Sequence, residues 1–218
     1  MKWLIFGGKG WIGGQVIDIL QNMANQEIII GVSRVDDTPS VEKELKSETP
    51  DRVLCLIGRT HGPGYSTIDY LEQKGKLVEN VRDNLFSPVS LAILCQKLNI
   101  HLTYLGTGCI FTDRIPEETD GYTEDSLPNF TGSGYSTVKG FTDRLMHMFE
   151  DSVLNVRIRM PIIGETNPRN FITKISKYSK VVNIQNSMTV LPELLPIMID
   201  LSMKKETGTI NLTNPGTI

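Results

Sequence analysis

Short apolar runs and helically spaced apolar stripes alternate along most of this chain. Lys2-Trp3-Leu4-Ile5-Phe6 reads as a short buried strand, and Trp11 to Ala24 then carries Ile12, Val16, Ile19, Leu20 and Met23 at helical spacing. Glu27 to Val32 is a second β-rich run, and Val41 to Ser47 predicts a short polar helix that stops before Pro50. Arg52 to Ile57 predicts a third strand, Ser87 to Leu98 a helix, Ile100 to Leu105 a fourth strand and Val153 to Arg159 a fifth. Such alternation implies a parallel sheet with helices on both faces. Ligands in such sheets bind beyond the carboxyl ends of the strands, so the chemistry is expected in the loops after Phe6, Val32, Ile57, Leu105 and Arg159. Thr112 to Thr131, polar, acidic and proline-bearing, reads as one long loop that shapes or covers the site.

The first of those loops is rich in glycine. Gly7-Gly8-Lys9-Gly10-Trp11-Ile12-Gly13 falls between the first strand and the first helix. In a dinucleotide site, one glycine permits the tight turn, a second lets backbone approach the pyrophosphate, and a third allows the helix to pack closely. The helix N-terminus then offers its unpaired amides and positive dipole end to the phosphates. The spacing Gly7-x-x-Gly10-x-x-Gly13 is a variant of that fingerprint rather than a clean match. The expected fold is therefore an α/β, Rossmann-type doubly wound parallel sheet. Residues 1–161 form the dinucleotide-binding domain, with Gly7, Gly10, Trp11, Ile12, Gly13 and Gly58 against the cofactor. Residues 162–218 form a small substrate-binding part interleaved with it and, to all expectation, incomplete. After the second strand, Ser33 and Arg34 stand where an arginine accommodates the 2′-phosphate of NADP, which predicts NADPH over NADH. Asp36 and Asp37 follow closely, so a salt bridge within the loop is the competing role for Arg34.

Gly134-Tyr135-Ser136-Thr137-Val138-Lys139 adds reactive side chains. On a helix, residues four apart share a face, so Lys139 can sit beside the Tyr135 phenol and lower its pKa from about 10. A phenol so tuned can give a proton to a carbonyl oxygen as hydride reaches the carbon. Thr107, at the end of the fourth strand, can hydrogen-bond the same carbonyl, or it can cap local backbone.

Composition narrows the class. The chain has 218 residues, 39% hydrophobic and 22% charged, which suits a globular protein of this plan. Its net charge of -3 offers no basic footprint for nucleic acid. No apolar stretch approaches the roughly 20 residues a membrane helix needs, and the N-terminal apolar run is too short and too glycine-bounded for a signal peptide. Cys55, Cys95 and Cys109 show no metal-type pairing and suit a reducing, cytoplasmic setting; no metal site is expected.

These motifs resemble the extended short-chain dehydrogenase/reductase superfamily. Thr107-Gly108-Cys109-Ile110-Phe111, Pro128 to Ser133, Arg159-Met160-Pro161-Ile162, Asn167 to Ile175 and Asn186 to Thr189 sharpen the match. They resemble the UDP-rhamnose synthase epimerase/reductases, which are similar to dTDP-4-dehydrorhamnose reductase. The resemblance implies an NADPH-dependent, bifunctional enzyme that inverts C3 and C5 of UDP-4-keto-6-deoxy-D-glucose and reduces its C4 ketone. It implies Thr107, Tyr135 and Lys139 for reduction, Cys109 and Lys174 as the epimerising acid/base pair, and Asn84 and Asn170 against the substrate. Helix capping or turn formation is the competing role for both asparagines. Related 4,6-dehydratases carry Asp-Glu where this chain has Gly108-Cys109, so a separate 4,6-dehydratase is expected upstream. Relatives continue beyond the equivalent of Ile218, and an NADP-binding regulatory module or a reductase of dTDP-sugars are the alternative functions. The Tyr135 helix and its neighbour often form a homodimer face in this superfamily; Met146, Met148 and Phe149 serve that face or the core.

Overall fold

The computed structural model describes residues 1–113, 121–181 and 183–218. Strands β1 (Lys2–Phe6), β2 (Glu27–Ile30), β3 (Arg52–Cys55), β4 (His101–Thr107), β5 (Val153–Ile158) and β8 (Gly208–Asn211) form one sheet in the order β2-β1-β3-β4-β5-β8. All five pairings are parallel. A second, two-stranded sheet joins β6 (Pro161–Ile162) to β7 (Thr189–Val190). The strand order reverses direction between β1 and β3, and that switch point opens the crevice in which such sheets bind ligands.

Alternation along the strands builds two cores. In β1, Leu4 and Phe6 join Val53, Cys55, Leu91, Leu102 and Tyr104 under helices α2 (Thr38–Glu48), α4 (Ser87–Lys97) and α5 (Gly134–Met146). Trp3 and Ile5 point the other way, joining Leu54, Leu154, Val156, Leu195 and Met198 under α1 (Trp11–Gln21) and α7 (Leu191–Met203). Both faces are covered, as the near-continuous apolar strands require.

The predicted strands are all present, with ends shifted by one or two residues. Two elements exceed the sequence reading. Helix α4 is the last part of a longer rod: α3 (Leu77–Val81) runs through one π-helical turn, Arg82–Phe86, into Ser87 without a break. Helix α7 carries Pro192 at its start, where a missing N–H costs nothing, and Pro196 inside. β8 is the sixth strand of the main sheet, and α7 packs on α1 and β4. Arg52 in β3 donates to the carbonyls of Ser202 and Met203 at 2.6 and 2.7 Å, capping the end of α7. Of the expected Thr112–Thr131 loop, residues 114–120 lie outside the described residues. Its described parts are pinned, with the Asn129 and Phe130 amides both donating to the Ile110 carbonyl.

Candidate active site

The glycine turn is built as the sequence requires. Gly7 has φ +87, and a Cβ there would lie 2.6 Å from the Leu56 carbonyl oxygen, so only glycine fits. A Cβ on Gly13 would lie 2.3 Å from the Gly7 carbonyl oxygen, so the third glycine is what lets α1 sit against the turn. No side chain caps α1 at Gly10. Its first-turn amides and dipole therefore suit an anion held by the turn. Trp11 and Ile12, on the same turn, are partly buried against the core.

After β2, one carboxylate organises the loop. Glu44, from α2, accepts from the Val32 and Ser33 amides at 2.8 and 2.9 Å. The Ser33 hydroxyl donates to the Ser40 carbonyl. Arg34 reaches Asp36 through Nε at 3.1 Å and Nη2 at 2.9 Å, so the competing salt bridge is formed in this structure.

At the end of β4, Thr107 Oγ1 accepts from the Cys109 amide at 3.1 Å, and the Thr107 hydroxyl also bonds the Tyr135 phenol. Tyr135 packs with Tyr70, Leu71 and Cys109 in a small apolar cluster. Thr107, Cys109 and Tyr135 thus stand together at a strand end. Two devices fix the start of α5. Ser133 caps it, its hydroxyl accepting from the Ser136 amide at 3.0 Å. Glu72 accepts from the Gly134 and Tyr135 amides at 2.8 and 3.0 Å, placing a carboxylate on the positive end of the helix.

The expected lowering of the Tyr135 pKa by Lys139 is corrected. Burial, and then the adjacent Cys109, push the Tyr135 phenol up, outweighing the Thr107 hydrogen bond and the Arg159 charge. Lys139 is one helical turn from Tyr135 but is turned inward; its ammonium donates to the Tyr104 hydroxyl and lies 4.8 Å from that ring's centre. Burial pushes the Lys139 amine down to about 8.

Asn84 sits in the π-helical turn, fully buried. Its Oδ1 accepts from the Arg59 amide at 2.9 Å; its Nδ2 donates to the Arg59 carbonyl and to Asn80, each at 2.9 Å. Two of these three bonds serve the loop after β3, where a Cβ on Gly58 would lie 3.4 Å from the same Oδ1. Asn170 likewise caps α6 (Phe171–Ile175), accepting from the Ile172 amide and donating to the Ile163 and Glu165 carbonyls. The competing capping and turn roles are thus the ones these side chains fill here. Lys174, on α6, is half-buried, and burial and then the Arg169 charge lower its pKa. Arg169 donates to His61 Nε2 at 2.6 Å.

A cavity of about 400 Å³ opens beyond β4, β5 and β8, walled by Gly108, Phe111, Tyr122, Arg159 and Asn186 among others. Sequence reading missed what shapes it. Arg157, buried in β5, pairs with Asp143 through Nε at 2.8 Å and Nη2 at 2.7 Å. The same guanidinium donates to the Thr123, Glu124 and Ser126 carbonyls and lies under the Phe111 ring. Phe111 stacks on Tyr122 at 4.4 Å between ring centres. The signal available was an arginine at an inward position of an apolar strand, which must be paired. Glu72 left no comparable signal.

Fold and site together define a dinucleotide-dependent reductase of the short-chain dehydrogenase/reductase type. No family model matches the chain. It is 60% identical over 220 residues to protein L780 of Acanthamoeba polyphaga mimivirus, an alignment covering all of this chain and 76% of the relative. The crystal structure of the L780 UDP-rhamnose synthase superposes with a TM-score of 0.96. The chain belongs to the UDP-rhamnose synthase family of nucleotide-sugar epimerase/reductases. It is also 39% identical to a bifunctional dTDP-4-dehydrorhamnose 3,5-epimerase/dTDP-4-dehydrorhamnose reductase of Arabidopsis thaliana, across the whole chain and 71% of that relative. A trifunctional Arabidopsis thaliana protein, named as UDP-glucose 4,6-dehydratase, 3,5-epimerase and reductase, is 40% identical; the chain spans 32% of it. Among the described residues, no group of side chains could hold a metal ion, and no helix is long and apolar enough to cross a membrane.

Proposed function

We propose that this chain converts UDP-4-keto-6-deoxy-D-glucose to UDP-L-rhamnose, inverting C3 and C5 and reducing C4 with NADPH. The observation that carries the reading is the convergence of Thr107, Cys109 and Tyr135 at the end of β4, above a buried Lys139. The glycine turn and the uncapped start of α1 suit the cofactor's diphosphate, and Ser33 and Arg34 suit its 2′-phosphate. Bound NADPH supplies the hydride. Thr107 and Tyr135 hydrogen-bond the C4 carbonyl oxygen, and the Tyr135 phenol, kept protonated by burial, gives it a proton.

Epimerisation uses the same ketone. C3 and C5 both neighbour C4, so a base removes each proton, the electron pair passes to the carbonyl oxygen as an enolate, and an acid returns a proton to the opposite face. Cys109 and Lys174 are the pair we assign. Burial beside Arg169 favours the neutral, basic form of Lys174, and Cys109 touches Tyr135 at the ketone site. Gly108 and Cys109 provide no carboxylates for eliminating water, so a separate 4,6-dehydratase supplies the substrate. We place the protein in the cytoplasm, with no nucleic-acid or membrane partner, and as a homodimer through the exposed Phe86 of the π-helical turn, Ile93 on α4 and Phe141 on α5. Met146 and Phe149 belong to the core, whereas Met148 is exposed.

The test is incubation with the 4-keto sugar and NADPH in deuterated water. UDP-L-rhamnose labelled at C3 and C5 supports the reading; cofactor binding with neither label nor turnover sinks it. Turnover of the dTDP-sugar alone would reassign the nucleotide. Cys109→Ala separates the two activities, with loss of label but retained hydride transfer to an already epimerised substrate.

A further inference from the structure

In the loop after β2, Arg34 meets Asp36. A second guanidinium approaches the same Asp36 oxygen, Oδ2. Arg82, from the π-helical turn, lies 3.9 Å from Asp36 Oδ2 through its Nε. Arg82 is itself held by Asp83, at 2.6 and 3.2 Å. Two guanidiniums from different elements therefore converge on one internal carboxylate. Two of the loop's backbone donors are already used, because Glu44 takes the Val32 and Ser33 amides, and the Ser33 hydroxyl serves Ser40. An anion arriving at this loop meets the Arg34 and Arg82 side chains.

We propose that Asp36 occupies the position of the cofactor's 2′-phosphate and competes with it, and that Arg82 is the second cation of that phosphate site. The inference rests on the reading of Arg34 as the residue facing the 2′-phosphate. Chemistry favours the exchange. The Arg34 side chain is 70% exposed, and an exposed ion pair of this kind is held weakly. A phosphate monoester carries a charge of roughly -1.5 to -2 and three acceptor oxygens, enough to engage Arg34 in bidentate fashion and Arg82 together. NADH has no group to make that exchange and leaves the Arg34–Asp36 pair in place. Asp36 thus sets how strongly NADPH is preferred, through the ion pair that must open.

The experiment is titration of the purified chain with NADPH and with NADH, read by nicotinamide fluorescence, for the parent and for Asp36→Asn, Arg82→Gln, Arg82→Lys and Arg34→Ala. Asp36→Asn should tighten NADPH about 2- to 5-fold, the equivalent of one exposed pair, and raise the NADPH/NADH preference. Arg82→Gln should weaken NADPH by a similar factor and spare NADH, and Arg82→Lys, which keeps the charge, should recover part of it. A Dissociation constant for NADPH that is unmoved or weakened in Asp36→Asn overturns the competitor role. Equal losses for both cofactors in Arg82→Gln, unrelieved by lysine, overturn the second cation. If Arg34→Ala destroys the preference while Asp36→Asn does nothing, this inference alone fails. If Arg34→Ala leaves the preference intact, the reading of Arg34 fails first and the inference with it.

Discussion

Tyr135 and Lys139 divide the labour differently from the way their spacing suggests. The phenol is held neutral by burial, and the amine is buried deeper, against Tyr104. Tyr135→Phe should therefore lower the reduction rate by about 10²- to 10⁴-fold, the worth of a positioned proton donor, while NADPH binding is little changed. Single-turnover reduction of the 4-ketone measures it, and a loss below tenfold would remove Tyr135 from the proton path. Lys139 gives a pH signature. Its folded pKa is about 8 against the ordinary 10.5, so between those values the unfolded chain holds a proton that the folded chain has released. Stability from this group is at its lowest below pH 8 and rises with pH up to about 10.5. Lys139→Met should flatten that rise in denaturant titrations repeated across pH 7.5 to 10, taking the parent as the reference.

The elements explain which parts could be read in advance. β1, α1, β3 and β4 follow the apolar pattern because each has one or two faces against a core, and the glycines at 7, 10 and 13 announce the turn between the first two. The rod beginning at Leu77 defeats the same reasoning. Over residues 77–86, Leu77 and Val78 face out while the fully buried residues are Asn80 and Asn84, so polarity runs opposite to burial there. That inversion exists because the π-helical turn must carry amides to the Arg59 backbone. Such single turns are uncommon and collect at functional sites. α7 was hidden by its two prolines, although Leu191, Leu194, Leu195, Met198 and Ile199 share one buried face. Of the site, Thr107, Tyr135 and Lys139 were legible from spacing and strand ends; the supports were not, since Glu72 lies 62 positions from the Gly134 amide it receives. Two measurements belong here. Glu72→Ala should cost about 1 kcal/mol through the lost cap, and lower reduction by loosening the start of α5. Asn84→Ala strands the Arg59 amide and carbonyl and should cost about 1–3 kcal/mol in urea unfolding; no change would mean the loop repairs those bonds with water.

For the whole molecule, Arg157 is the point where sheet, α5 and the cavity wall meet. Arg157→Met leaves Asp143 buried without its partner and should destabilise by about 3–5 kcal/mol, roughly 10 °C in Tm for a chain of this size. Replacing both residues with apolar ones should recover much of that stability without recovering turnover, because the wall at Tyr122 would no longer be held. The return of α7 and β8 to the first-made strands has a consequence in time. As the chain leaves the ribosome, β1 to β5 can pair, but the face of Trp3, Ile5, Leu154 and Val156 has only α1 over it until Leu191–Met203 emerges. A nascent chain paused before that helix therefore shows an apolar sheet face to its surroundings, and translation speed across the codons leading up to and through Leu191–Met203 becomes a determinant of yield.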